Sequence, residues 1–84
     1  METTSRTRWR YFEIRMKTDR YTAFAREPDP ERALTAARWR IRAHGPALPD
    51  PINEPDATAR LVGGETLTAH CLDGTTVTVE PFTT

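Results

Sequence analysis

Between Pro28 and Gly45 the chain reads PDPERALTAARWRIRAHG, and this stretch limits the fold more than any other. It alone has a helix start, a helical apolar stripe and a helix stop. Asp29 stands where an N-cap carboxylate accepts free N–H groups of the first turn. Pro30 follows at the first helical position, where a missing N–H is no loss. Glu31 suits the positive end of the helix dipole. Gly45 and Pro46 end the segment. Leu34, Ala37 and Ile41 are spaced i, i+3, i+7, a stripe that should face a sheet. Arg32, Ala36, Trp39 and Ala43 then project away from it. An exposed Trp beside arginines is a plausible contact surface, because Trp and Arg are common interface anchors. Its bland alternative is a ring folded down over the helix edge to cover the sheet rim.

The flanks read as strands. In Arg8–Lys17, RWRYFEIRMK, Phe12, Ile14 and Met16 alternate onto one face, the expected core face. Trp9, Tyr11, Glu13, Arg15 and Lys17 share the other. Thr18-Asp19-Arg20 is a turn, and Tyr21–Arg26 a second strand, so a hairpin should lead into a helix at about 30–44. Gly45–Thr58 holds four prolines and no helical period. It should be an extended connection that packs through Leu48 and Ile52 or stays mobile.

The rest, Ala57–Phe82, reads as an antiparallel meander with strands at 57–62, 65–71 and 75–82, turning at Gly63-Gly64 and Asp73-Gly74. A two-residue turn at Asp73-Gly74 would pair Val77 with His70. A three-residue turn, Leu72-Asp73-Gly74, pairs Val77 with Ala69 and Val79 with Leu67. The second gathers Leu67, Ala69, Cys71, Val77 and Val79 on one face and places Gly74 in a left-handed position, so it is preferred. By the same logic Ala59 and Leu61 should join that face, and Thr66, Thr68, His70, Thr76 and Thr78 the outer one. The expected fold is α+β, ordered ββαβββ, in one domain over residues 8–84 behind a flexible tail at 1–7.

Composition narrows function. The chain has 84 residues, too few to bury a large core, and hydrophobic residues make up 37% of it, so it gains from good packing or self-association. Formal net charge is zero, but residues 1–45 carry +5 and residues 46–84 carry −5. Such a separation can steer an anionic partner to one face, or draw together two oppositely charged halves or two copies. No run reaches membrane-spanning length, and the N-terminus lacks the apolar core of a signal peptide. One cysteine forms no internal disulfide. A cytoplasmic protein is the expectation.

Recognisable catalytic chemistry is scarce. His70 and Cys71 are adjacent in a strand and point to opposite faces, poor geometry for zinc or for a nucleophilic pair. Cys71 is better read as a small buried hydrophobe. Asp19, Asp29 and Asp73 have turn or cap roles. No phosphate-loop or dinucleotide-binding signature occurs. No enzyme activity, cofactor or metal is expected.

Two functions remain. The favoured one is a small non-catalytic protein-interaction module, self-associating or binding another protein, anchored by Trp39 and Arg32 with Trp9 and Tyr11. The alternative is a DNA- or RNA-binding accessory protein using the basic aromatic hairpin through Arg8, Arg10, Arg15, Lys17 and Arg20. Over residues 8–44 the order strand, turn, strand, helix, with Trp9, Arg10 and Tyr11 in the first strand, resembles the arm-binding domain of tyrosine recombinases. That resemblance implies a twisted sheet in the major groove, backed by the helix. This chain departs from it in having two clear strands there rather than three, and in its acidic second half.

Overall fold

Alternating burial along Tyr11–Lys17 makes the first strand, β1, and the computed structural model, which describes residues 9–83, puts it at the centre of the molecule. The tail, Arg8 and Thr84 lie outside the described residues. β1 pairs antiparallel with β2 (Thr22–Glu27) on one side and with β4 (Thr76–Phe82) on the other. β3 (Leu67–His70) pairs with β4, giving the order β2-β1-β4-β3. Helix α1 (Pro30–Ala43) packs on one face of this sheet, and the fold is α+β.

Local chemistry explains the elements. The Asp29 side chain accepts the Arg32 N–H at 3.1 Å, and Pro30 opens α1. Gly45, at φ +87°, ends it in the left-handed region that other residues avoid. In the first turn the Thr18 hydroxyl oxygen accepts the N–H groups of Arg20 and Tyr21, both at 3.1 Å, which delays the second strand to Thr22. The second hairpin has the three-residue turn. Val77 lies opposite Ala69, Val79 opposite Leu67, and Gly74 has φ +94°. The Cys71 N–H donates to the Thr75 carbonyl at 2.8 Å and closes the turn.

The third strand expected at 57–62 is instead a short helix, α2 (Ala57–Val62). Its burial shows why. Ala57 and Leu61, one helical turn apart, are buried, while Ala59 faces out; a strand would have grouped all three. α2 packs beside α1 on the same side of the sheet. The core joins Phe12, Ile14 and Met16, Leu34, Ala37 and Ile41, and Leu67, Ala69, Val77 and Val79, with Ile52 and Leu61 closing its edge.

The proline-rich connection is ordered against the outer edge of β3. The Leu48 N–H donates to the His70 carbonyl at 2.8 Å, the His70 N–H to Pro49 at 3.1 Å, and the Leu72 N–H to Pro46 at 3.1 Å. Its Leu48–Pro49 peptide is cis. Ile52, in a 3-10 turn at Pro51–Asn53, supplies the anchor to the core. Leu48 supplies none, with 79% of its surface exposed, because edge pairing turns its side chain to water.

Candidate functional site

The helix surface opposite the core is the first candidate. Burying Ala33, Leu34, Ala37 and Ile41 forces Trp39 outward, and it remains 65% exposed rather than folded over the sheet rim. Arg32 is exposed seven residues earlier on the same face. Thr35, Arg38, Trp39 and Arg42 line a shallow recess of about 200 Å³. Arg42 lies over the indole, its guanidinium carbon 5.4 Å from the ring centre, a cation–π distance.

Three arginines in the last turns diverge rather than crowd. Arg38 Nε donates to the Ile52 carbonyl at 3.1 Å and ties α1 to the proline-rich segment. Arg40 Nη1 donates to the Ala36 carbonyl at 2.9 Å. Arg42 turns to Trp39. A second recess, shared through Arg38 and Arg42, runs down past Gly45 and Pro46 to Asp50 and Asn53. The helix face is therefore an aromatic plate set among guanidinium groups, suited to an apolar side chain accompanied by carboxylates.

The outer face of the sheet is the second candidate. Alternation places Tyr11, Glu13, Arg15 and Lys17 of β1 there, and register adds Thr22, Phe24 and Arg26 of β2, Thr76, Thr78, Glu80 and Phe82 of β4, and Thr68 and His70 of β3. Neither α1 nor α2 covers this side. Tyr11 stacks on Phe82 with ring centres 5.3 Å apart, and Arg26 sits over Tyr11 at 4.7 Å. The Thr68 and Thr78 hydroxyls meet at 3.2 Å. Phe24 is 60% exposed.

These positions redistribute the residues singled out by sequence. Trp39 and Arg32 share the outer face of α1, while Tyr11 lies on the opposite side of the molecule. Trp9 joins neither. Strand pairing begins at Tyr11, and the Trp9 indole N–H donates to the Val62 carbonyl at the end of α2, at 2.7 Å. The ring also packs against the core and approaches Gly64. Trp9 therefore does not share the outer sheet face with Tyr11, as strict alternation implied, because its indole caps the α2 end. Of the basic set, Arg15 and Lys17 reach the outer sheet face, Arg10 precedes β1, and Arg20 stands in the hairpin turn, all exposed.

Sequence reasoning missed one polar cluster. His44 Nδ1 lies 3.0 Å from Asp73 Oδ2 and 3.4 Å from the Thr75 hydroxyl, and Asp73 Oδ1 accepts the Thr75 N–H at 2.9 Å. The Thr75 N–H first, and His44 second, hold the Asp73 carboxyl below its ordinary value. The cluster fastens the end of α1 to the β3–β4 turn. Nearby, burial chiefly, and then Asp73 and Asp50, push the Cys71 thiol up, away from the thiolate that nucleophilic chemistry needs. His70 is exposed and Cys71 buried, on opposite sides as expected.

Among the described residues no group of three or more His, Cys, Asp or Glu is placed to hold a metal ion, and no helix is long and apolar enough to cross a membrane. Comparison of the chain with protein-family models, with curated proteins and with solved structures returns no match.

Proposed function

We propose that this chain is a small non-catalytic protein-interaction module whose α1 outer face docks an acidic protein segment carrying an apolar side chain. The observation that carries this reading is Trp39. Its ring is 65% exposed on a helix whose other face is fully committed to the core. Arg42 and Arg38 frame the recess beside it, and Arg32 extends the same face. An apolar side chain in the recess would cover the indole, and flanking carboxylates would meet the guanidinium groups.

The test is selection of peptides from a random library on the immobilised chain, followed by affinity measurement against Trp39→Ala. Enriched peptides should combine acidic residues with an apolar one. They should lose at least about 2 kcal/mol on the substitution, as hot-spot aromatics do. The mutant should melt with the wild type, within about 0.5 kcal/mol, because an exposed ring supports little of the fold. Peptides that bind both proteins equally would reject the assignment, as would a mutant that unfolds.

Nucleic-acid binding through the hairpin is the second reading. It is supported by Arg15, Lys17 and Arg20 near the exposed rings of Tyr21 and Phe24. Against it stand Glu13 and Glu80, which interrupt any phosphate track across the sheet. If it holds, affinity falls with salt at a slope of about −0.9 per phosphate neutralised, and replacing Arg10, Arg15 and Lys17 by Ala flattens that slope. No binding to duplex or single strands at low salt would remove it.

A further inference from the structure

Glu13 and Glu80 lie directly opposite each other on β1 and β4. Like charges in that position destabilise a sheet. Arg26 answers Glu13 at 3.6 Å from the far side, and among the described residues none is paired with Glu80. One row away along the same two strands stand Arg15 and Thr78, and two rows away Lys17 and Thr76. The rows beyond the acids hold Tyr11 and Phe82. Along each strand the face therefore runs from basic or hydroxyl groups, through acids, to aromatics.

We infer that the outer face of the sheet is a homodimer interface that takes a second copy of this chain, face to face, with its strands running the opposite way. The symmetry axis lies between the two sheets, perpendicular to the strands, and passes between the Arg15 and Glu13 rows. That operation sets each strand over its own equivalent, reversed. Arg15 meets Glu13 of the second copy. The Thr78 row, its own hydroxyl buried against Thr68, brings no like charge to Glu80 of the second copy. Phe24 meets Arg26 of the second copy as a cation–π pair.

The other simple axis, parallel to the strands between β1 and β4, puts Glu13 against Glu80 of the second copy and is rejected by repulsion. Aligned sheets pack with their strands about 30° apart, so pairs nearest the axis are best preserved. Chief among those is Arg15 with Glu13.

The size of the face sets the strength. β1 and β4 have seven residues, β2 six and β3 four, so four strands about 4.8 Å apart at about 3.4 Å per residue make a face of at most roughly 19 by 24 Å. This is small beside the roughly 800 Å² that each partner buries in a standard interface. A weak, concentration-dependent dimer follows, with a dissociation constant on the order of micromolar or weaker. The face lies on the far side of the sheet from α1, so this inference stands or falls separately from the Trp39 reading.

The test uses the full chain in sedimentation over about 1–500 µM, a range set by that expected strength. Wild type should pass from monomer to dimer. Arg15→Glu puts two acids against each other, and Glu13→Lys puts two cations against each other. Each should weaken self-association about tenfold or more, by like-charge juxtaposition. Mixed in equal amounts, the two variants regain opposite charges at both crossings and should form a heterodimer of near wild-type affinity. Trp39→Ala should dimerise as wild type does.

A second measurement covers a variant that fails to fold. On dilution of isotope-labelled wild type, the amide signals of Glu13, Arg15, Thr78 and Glu80 should move, and those of α1 should stay. A wild type that is monomeric throughout overturns the inference. So does a mixture that fails to associate while both variants are folded, or dilution shifts confined to α1.

Discussion

Replacing Leu34 by Ala tests the central packing contact. Leu34 has no exposed surface and sits on α1 where the helix meets the sheet. Truncating a buried Leu to Ala costs about 2–5 kcal/mol, more where the walls cannot relax into the void. Here the surrounding cluster includes Ala33, Ala37 and Ala69, whose side chains have no rotamers with which to fill space. The expected cost therefore lies in the upper part of that range, about 3–5 kcal/mol. A domain of this size shifts its Tm by roughly 4–8 °C per kcal/mol, so melting should fall by about 12 °C or more. The matched control is Leu48→Ala, at a position 79% exposed, which should change stability by less than about 0.5 kcal/mol. Both are read by thermal and urea denaturation followed by circular dichroism. Equal effects of the two substitutions, or an unchanged Leu34→Ala melt, would refute the placement of α1 on the sheet.

Trp9→Phe keeps an aromatic ring, though a smaller one, but removes the donor to the Val62 carbonyl, and should cost about 1–2 kcal/mol in urea denaturation. Gly74→Ala meets no steric obstacle, yet φ +94° is strained for any side chain, so a loss of about 1–2 kcal/mol is expected from backbone strain alone. Asp73, held below its ordinary 3.8 by the Thr75 N–H and by His44, stabilises the fold fully above that value. The contribution is lost as pH falls through the lower folded value. Wild type and Asp73→Asn should therefore converge in stability under acid denaturation, and a gap that persists at the lowest pH would contradict this.

Much of the fold was legible because local chemistry and hydrophobic period agreed. Asp29 and Pro30 marked the helix start, and Gly45 with Pro46 its end. Gly74 selected the three-residue turn, and with it the register that buries Val77 and Val79. At Ala57–Val62 the two periods could not be separated. Six residues span less than two helical turns, and Ala59 and Leu61 satisfy a strand alternation on paper. Burial of Ala57 with Leu61 against the core decides for helix, and that is a tertiary fact. Trp9 eluded alternation for a related reason, since its position depends on a carbonyl at the end of that same helix. The His44–Asp73 cluster joins residues far apart in sequence, each already explained locally as a helix end or a turn. Trp39 could be read from helical phase alone, whereas the charge code of the sheet face required the register between β1 and β4.

Pairing of β1 with β4 also sets the order in which the protein can be made. Tyr11 lies opposite Phe82, so the central strand gains its second neighbour only once nearly all of the described sequence has been synthesised. Until then the emerging polypeptide has a hairpin and a helix but half a sheet, with Phe12, Ile14 and Met16 incompletely covered. Contacts this distant in sequence form slowly, and exposed apolar strands invite association with neighbouring chains. A product stopped before Thr76 should therefore be captured by chaperones or degraded, rather than accumulate as a shorter folded form.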